Sequence, residues 1–195
     1  MNRVIWKTRV YGGKITKLFL RSIFHFDRWQ LYTLTEKQYA RDIISWCNRR
    51  QERNSFAEIG CGMGDILRNV QYRLREGYDQ DERVLKAARL MSLLQGQRRI
   101  RFSNSVFPDL LLPGKYDVLL MVNWIHHIIP VRLKTKIGEY YSGALTPGGC
   151  IIIDTVGDTG YKYNHDIGYL TAGLGARVNE LGAYERDRRI WIINR

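Results

Sequence analysis

A glycine-rich turn after a short apolar run, near residue 60, restricts the fold more than any other feature of the sequence. The apolar run is Phe56–Ile59, and glycine then stands at Gly60, Gly62 and Gly64. Glycine lets the backbone turn tightly and lets a ligand approach the main chain, because it has no Cβ. A helical pattern follows. The segment therefore indicates either a ligand site between a strand and a helix or an ordinary strand-to-helix connection.

Short apolar runs alternate with helical patterns from Ser55 onward, which is typical of βαβ units and a parallel sheet. Strands are expected at Phe56–Ile59, Gly77–Tyr78, Ile100–Phe102, Tyr116–Val122 and Cys150–Asp154. Helices are expected near Asp65–Arg75, Asp81–Leu94 and Val131–Gly143. The last two strand-like runs, Arg177–Leu181 and Arg189–Ile193, are only seven residues apart. Seven residues are too few for a crossover helix, so these runs should form an antiparallel hairpin.

Residues 1–50 are expected to form a basic helical leader before a domain of residues 51–195. From Lys14 to Phe26 the apolar residues have a one-sided helical spacing, at Ile15, Leu18, Phe19, Ile23 and Phe26. This amphipathic pattern predicts a helix whose apolar stripe packs on the domain or contacts a membrane surface. A second helix is predicted from about Glu36 to Arg50, because Thr35 and Gln38 have the spacing of a capping box.

Positive charge is concentrated at the start of the chain. The whole sequence has a net charge of +12, and residues 1–28 contain seven Lys or Arg and one Asp, a net charge of +6. Such a segment can contact an anionic lipid surface, RNA or an acidic substrate, or it can form a solvated basic face. The sequence does not distinguish these partners, and it gives no oligomeric state.

The three cysteines and the hydropathy pattern bear on where the chain is expected to reside. Cys47, Cys61 and Cys150 are far apart and lack metal-ligand spacing, so neither a disulfide framework nor any metal site is expected. No apolar run approaches the ~20 residues that span a bilayer, and the N-terminus lacks the features of a signal peptide. We therefore expect a cytoplasmic protein, with peripheral membrane contact left open.

Two acidic residues narrow the choice of ligand at the glycine turn. Asp65 stands where a dinucleotide-binding G-x-G-x-x-G sequence has its last glycine. An acid facing a pyrophosphate is unfavourable, so nicotinamide and flavin dinucleotides are disfavoured. Asp79 ends the second strand, fifteen residues after Gly64, and can accept hydrogen bonds from both hydroxyls of a ribose. Its neighbour Asp81 is better explained as the N-cap of the next helix.

Four motifs in this order resemble those of class I S-adenosylmethionine-dependent methyltransferases. They are Glu58–Asp65; Gly77–Asp79 with Leu85 and Ala87–Ala88; Tyr116–His127; and Leu145–Gly149 with Ile151–Asp154. Together they cover about residues 55–195. The resemblance implies an α/β, Rossmann-like doubly wound sheet, mostly parallel, that ends in an antiparallel hairpin. It also implies S-adenosylmethionine as the methyl donor and S-adenosylhomocysteine as the product.

The resemblance also assigns cofactor contacts to residues of this chain. It implies that Glu58, Gly60, Gly62 and Gly64 surround the methionine part and that Asp79 binds the ribose, and further contacts are expected at the neighbouring Cys61 and at Asn123. Relatives usually have an acid after the third strand that accepts a hydrogen bond from the adenine. This sequence has Asn104 and Ser105 there, which accept such a bond more weakly.

Catalytic and acceptor residues are expected after the fourth and fifth strands. An oxygen acceptor must lose a proton, for which a histidine is suited. His126 is the predicted base, and Asp154 is a second base or a residue that orients a histidine; His127 matches a histidine that many relatives use structurally. The remaining acceptor candidates are aromatic or hydrogen-bonding residues near these two strand ends: Trp124, His127, Tyr161, Tyr163 and His165.

The leading functional hypothesis is O-methylation of a small polar or glycan-type acceptor. The run Asn123–His126 is similar to that of small bacterial methyltransferases associated with polysaccharide biosynthesis. A second hypothesis is an RNA or protein methyltransferase that uses the basic N-terminal arm, although no Asn-Pro-Pro-Tyr motif for amino-group methylation follows the fourth strand. A third is a catalytically silent cofactor-binding module.

Overall fold

One mixed sheet forms the centre of the protein. A computed structural model describes residues 3–97 and 99–195, with the side chains of the first helix described from Gly13 onward. Within this part of the chain the sheet has seven strands in the order β3-β2-β1-β4-β5-β7-β6. They are β1 (Ser55–Ile59), β2 (Leu74–Asp79), β3 (Ile100–Asn104), β4 (Tyr116–Met121), β5 (Leu145–Thr155), β6 (Arg177–Tyr184) and β7 (Arg188–Asn194). The first five strands pair in parallel, and β7 pairs antiparallel with both β5 and β6, which confirms the predicted fold class.

Helices cover both faces of the sheet. They are α1 (Arg3–Phe24), α2 (Gln38–Arg49), α3 (Glu82–Leu94), α4 (Pro130–Gly143) and α5 (Ile167–Thr171), with 3₁₀ turns at Arg28–Leu31, Leu34–Glu36 and Ile125–His127. Side chains of β4 alternate between the faces: Val118 and Leu120 pack towards α2 and α3, whereas Leu119 packs towards α4. The central strands are therefore buried on both sides. None of the described helices is long and apolar enough to cross a membrane.

The helix predicted at Asp65–Arg75 is wrong. The amide of Arg68 donates to the carbonyl of Gly64 at 3.0 Å and that of Val70 to Ile66 at 3.0 Å, so the chain completes little more than one helical turn. Leu74 then donates to the carbonyl of Asn54 at 2.8 Å and begins β2. Strand pairing therefore takes up residues that the sequence pattern placed in the helix.

The predicted start and burial of α1 are also wrong. The helix begins at Arg3 instead of near Lys14. Its predicted stripe is exposed apart from Phe26, which follows the helix and is buried. The face that packs on the domain carries Lys17 and Leu20, because Lys17 pairs with a buried acid and Leu20 enters a cluster with α3. The basic side chains of Arg3, Lys7 and Arg9 lie outside the described residues.

The predicted capping box is displaced by two residues. The amide of Thr33 donates to Glu36 Oε2 at 2.8 Å, so these two residues form the capping interaction instead of Thr35 and Gln38. It precedes the 3₁₀ turn, and α2 then begins at Gln38, close to the predicted position.

Candidate active site

The glycine turn joins the ends of β1 and β2. The amides of Gly60 and Cys61 both donate to the carbonyl of Tyr78, at 2.7 Å and 3.0 Å. Gly60, Gly62 and Gly64 have positive φ angles of 73°, 51° and 70°, which favour glycine. The turn is therefore fixed at the carboxyl edge of the sheet by backbone geometry that other residues rarely adopt.

Two side chains use the space that a Cβ on the turn would fill. A Cβ on Gly60 would clash with the indole of Trp124, and a Cβ on Gly62 would clash with the amide of Gln30. Trp124 Nε1 donates to the carbonyl of Ile59 at 2.6 Å, so the ring is anchored against the turn. Trp124, expected near the acceptor, thus lies beside the predicted cofactor glycines.

Asp79 lies at the tip of β2 and connects the turn to α3. Its two carboxylate oxygens accept hydrogen bonds from the amides of Gly62, at 2.8 Å, and Asp81, at 3.0 Å. Burial raises the pKa of Asp79 above its usual value. Asp81 caps α3, since its side chain accepts from the amide of Arg83 at 2.9 Å. The Asp79 carboxylate borders an open hollow that Trp29 and Gln30 also line.

A cleft that is open to solvent lies beside the glycine turn. Predicted cofactor residues form one wall: Glu58, Gly60, Cys61, Gly62 and Asn123, together with Trp124. The opposite wall comes from the segment before the sheet: Trp29, Gln30, Leu34, Lys37 and Tyr39. Sequence reasoning missed this second wall. One signal in the sequence pointed to it. Lys37 stands just before α2, where its positive charge is unfavourable beside the positive end of the helix dipole.

An acidic and a basic side chain, Glu58 and Lys37, line this cleft. Glu58 is buried and its Oε2 atom has no hydrogen-bond partner among the described residues. Burial, followed by the charge of Asp65, raises the pKa of Glu58 to about 8. Burial also lowers the pKa of Lys37, whose ammonium group forms no hydrogen bond within the part of the chain that the structure describes. A ligand with one cationic and one anionic group can satisfy both side chains.

Asp65 belongs to a buried ion cluster under the turn. Its carboxylate pairs with Lys17 Nζ at 2.6 Å and with Arg68 Nη2 at 2.5 Å. Although burial acts to raise the pKa of Asp65, Lys17 and Arg68 lower it below the usual value. The expected repulsion of a pyrophosphate is therefore weaker than the isolated sequence suggests. The helix that would bind a pyrophosphate at its N-terminus is also missing, so the geometry still disfavours a dinucleotide.

The residues proposed for adenine contact lie next to Asp79. Asn104 Nδ2 donates to the carbonyls of Asp79, at 3.2 Å, and Gln80, at 3.0 Å. The amide of Ser105 also donates to the carbonyl of Asp79, at 3.0 Å. Asn104 ends β3 and Ser105 follows it, so both lie at the same edge of the sheet as Asp79, and their adenine contact stays a prediction.

His126 lies beyond the end of β4 in the 3₁₀ turn Ile125–His127. It is buried, and its ring centroid is 4.2 Å from that of Tyr161 and 4.3 Å from that of His127. Burial, followed by the charge of His127, lowers the pKa of His126 to about 4. His126 is therefore neutral at physiological pH, which a base requires. His127 is exposed.

The loop after β5 packs around this 3₁₀ turn. His165 Nε2 lies 2.9 Å from the carbonyl of Ile125, and the amide of Tyr163 donates to the carbonyl of His126 at 3.1 Å. The Tyr163 and His165 rings are stacked, with centroids 6.2 Å apart. These contacts give His165 a structural function in holding the turn.

Asp154 forms a buried ion pair with Arg188, a residue that the sequence did not identify. Its other oxygen accepts from the amide of Asn123 at 3.0 Å, so Asp154 can act as a base only if the ion pair opens. The guanidinium of Arg188 also lies 4.9 Å from the ring of Tyr39 and donates to the hydroxyl of Tyr161 at 3.4 Å. Arg188 thus connects the cleft to the loop beside His126.

The site residues therefore fall into two neighbouring groups. The cofactor candidates, apart from Gly64, Asn104 and Ser105, surround the cleft or border the adjoining hollow. The catalytic and acceptor candidates other than Trp124 do not line the cleft. They lie in and around the 3₁₀ turn Ile125–His127 and at the end of β5. The structure describes no group of three or more His, Cys, Asp or Glu residues that could bind a metal ion. The three cysteines are free and buried.

Comparisons with known proteins identify the fold. No family model and no curated protein matches the sequence. The N-methyltransferase NodS from Bradyrhizobium japonicum, solved with S-adenosylhomocysteine, superposes with a TM-score of 0.71, 15% identity and coverage of 92% of this chain and 97% of that one. Magnesium protoporphyrin IX methyltransferase from Synechocystis PCC 6803, solved with S-adenosylmethionine, superposes with a TM-score of 0.66 and 16% identity. The match covers 92% of this chain and 91% of that one.

An O-methyltransferase family protein from Burkholderia thailandensis gives a TM-score of 0.64 at 16% identity, over 81% of this chain. This chain spans only 56% of that protein's length. The mostly parallel sheet with its antiparallel C-terminal hairpin matches the fold of the NodS and magnesium protoporphyrin IX methyltransferase structures. At these identities the likeness concerns the architecture, and the chain has the class I methyltransferase fold.

Proposed function

We propose that the protein is an S-adenosylmethionine-dependent methyltransferase. The observation that carries this proposal is the cleft beside the glycine turn, which is lined by Lys37 and by the buried acid Glu58, whose Oε2 atom lacks a hydrogen bond among the described residues. The methionine part of the cofactor has an ammonium group and a carboxylate, which match these two side chains. Two structures with the same fold were solved with S-adenosylmethionine or its product, which supports the proposal.

The residues present suit the methionine and ribose parts of the cofactor. Glu58 would bind the ammonium group, Lys37 the carboxylate, and Asp79 the ribose hydroxyls. Each oxygen of Asp79 accepts one backbone hydrogen bond, and a carboxylate oxygen can accept a second. Trp124 and Gln30, which approach the turn where Cβ atoms are absent, would flank the bound molecule.

The bound cofactor supplies an electrophilic methyl group on a sulfonium. The protein's contribution is to orient an acceptor in line with that methyl group and to take its proton. His126 is the proposed base because it is buried and neutral, and Tyr161 packs against its ring. Tyr161 and Tyr163 of the loop after β5 would contact the acceptor.

The proposed acceptor is a small polar or glycan-type molecule, methylated on oxygen, as in polysaccharide biosynthesis. Neighbours of the same fold include an N-methyltransferase and an O-methyltransferase family protein, so the fold leaves the methylated atom open. RNA or protein methylation, and a catalytically silent module, are the alternatives. A screen with labelled methyl donor against glycans, small metabolites and RNA separates them, and no labelled product from any pool would favour the silent module.

A ligand that lacks the amino acid part of the cofactor tests the proposed roles of Glu58 and Lys37 directly. Lys37→Met should weaken S-adenosylhomocysteine binding by about 10- to 100-fold, because a hydrogen bond to a charged group contributes about 1.5–3 kcal/mol. Binding of methylthioadenosine, which lacks the amino acid part, should not change. Lys37→Arg serves as the charge-preserving control. Calorimetry that shows equal losses for both ligands contradicts this role, and tighter binding of NAD than of S-adenosylhomocysteine overturns the proposed cofactor.

A further inference from the structure

Helix α1 presents an apolar stripe to solvent. Ile15, Leu18, Phe19 and Ile23 are 66%, 50%, 62% and 48% exposed. They stand at positions i, i+3, i+4 and i+8, so they form one continuous stripe along the helix, which we name the outer face. Single exposed apolar residues are common on proteins, whereas a contiguous stripe of large ones marks a contact surface.

The opposite face of α1 fixes this orientation. Lys17 is nearly buried, donates to Asp65 at 2.6 Å and to the carbonyl of Tyr32 at 2.8 Å, and would lose these bonds if the helix rotated. Leu20 is fully buried in a cluster that includes Val84 and Met91 of α3. Because α1 is held from this side, the outer face cannot turn inward and needs another partner to be covered.

The charge of the helix indicates the kind of partner. None of the 22 residues of α1 is acidic, and six are Lys or Arg. A second copy of this helix would bring like charges together, and RNA offers little apolar surface for Phe19 and Ile23. A bilayer with anionic headgroups matches both the positive charge and the apolar stripe of α1, because it accepts apolar side chains below a negatively charged surface.

We propose that α1 binds an anionic membrane surface, lying parallel to it with the outer face inserted between the headgroups. Lys14 and Arg21 contact the lipid phosphates. The link from Lys17 to Asp65 then holds the cleft close to the membrane. This inference stands independently of the proposed reaction.

Vesicle sedimentation of the full chain tests the inference. The wild type should bind phosphatidylcholine vesicles that contain phosphatidylglycerol, and it should bind pure phosphatidylcholine about tenfold more weakly. The variant Ile15→Ser/Phe19→Ser/Ile23→Ser should lose about tenfold or more of the binding to the anionic vesicles. The matched control is Leu111→Ser/Val131→Ser, which changes residues that are 83% and 60% exposed elsewhere and should bind like the wild type. Circular dichroism and thermal unfolding establish that both variants are folded.

Three outcomes would overturn the inference. The first is a wild type that does not bind anionic vesicles, and the second is a triple variant that binds as well as the wild type. The third is a wild type that is dimeric in solution while the triple variant is monomeric, which would identify a second copy of the chain as the partner of the outer face.

Discussion

Glu58 occupies a position that is unfavourable for a carboxylate in the free protein. It is buried, one of its oxygens lacks a hydrogen bond within the described residues, and the charge of Asp65 repels it. A neutral side chain of the same shape would avoid these costs. A ligand with a cationic group explains why an acid stands there, since binding would supply the missing partner.

Replacing Glu58 by Gln should change how stability depends on pH. The pKa is raised from 4.5 to about 8 in the folded protein, so the folded state binds the proton more tightly. The resulting stabilisation is fully present below pH 4.5 and is lost as the pH rises through about 8. Glu58→Gln should therefore become more stable relative to the wild type with increasing pH, by up to a few kcal/mol.

Urea unfolding of both proteins at several pH values measures this difference. Glu52→Gln, at an exposed position, is the matched control and should follow the wild type at each pH. A constant difference between Glu58→Gln and the wild type across the pH range would mean that folding does not raise the pKa of Glu58. S-adenosylhomocysteine affinity should fall in Glu58→Gln even where its fold is more stable.

His126→Ala should lower turnover by about 10²–10⁴ while cofactor affinity stays nearly constant, if His126 takes the acceptor proton. Because burial lowers the pKa of His126 to about 4, wild-type turnover should show no loss from His126 protonation between about pH 8 and about pH 5. Steady-state kinetics with an identified acceptor measures both. His127→Ala, which changes the exposed neighbour, should retain most activity. Full turnover in His126→Ala would move the role to Asp154, whose ion pair with Arg188 must then open.

At the scale of helices and strands, the sequence predicts existence and order better than bounds. Each predicted strand is present, because a short apolar run in the sequence is enough to indicate a buried strand. β5 begins at Leu145 instead of Cys150, since the Thr146–Gly149 stretch, expected as a turn, enters the strand. Its pairing with β4 shifts register between Tyr116 and Val118, which local pattern does not encode.

The errors in α1 and in the cleft have a common cause. Helical spacing shows that one face is apolar, but the partner that decides burial is distant: Asp65 is 48 residues from Lys17. Arg188 likewise pairs with Asp154, 34 residues away, only because β5 and β7 are neighbours. The motif residues of the cleft were predictable because they are contiguous, whereas its second wall depends on tertiary packing.

Lys17→Met tests how α1 is attached. It removes the buried pair with Asp65, which keeps Arg68 as a partner, so the free energy of unfolding should fall by about 1–3 kcal/mol. Lys14→Met is the matched control, because it removes an exposed pair with Glu36 and should cost less than about 1 kcal/mol. Chemical denaturation measures both values. Equal losses would show that the buried pair contributes no more than the surface pair.

At the scale of the whole molecule, the first fifty residues take part in the core. Ala40, Ile43 and Cys47 of α2 are buried in the cluster that packs on β1 and β4. Phe26 is buried against α3. The division into a leader of residues 1–50 and a domain of residues 51–195 is therefore a proposal about sequence motifs, and we do not expect it to separate two folding units.

Two truncations measure where the folding unit begins. Removal of residues 1–13 should leave the fold and S-adenosylhomocysteine affinity intact, because Lys17 is the first buried side chain among those described in α1. A fragment of residues 51–195 should neither unfold cooperatively nor bind the ligand. It lacks one wall of the cleft, including Gln30 and Lys37. It also exposes part of the core, where each buried large apolar side chain contributes about 1.5–3 kcal/mol to a free energy of unfolding of about 5–15 kcal/mol. Thermal unfolding and calorimetry of both fragments give the result. A cooperative, ligand-binding fragment of residues 51–195 would establish the boundary at residue 50, and a loss of ligand binding on removal of residues 1–13 would move it to the start of α1.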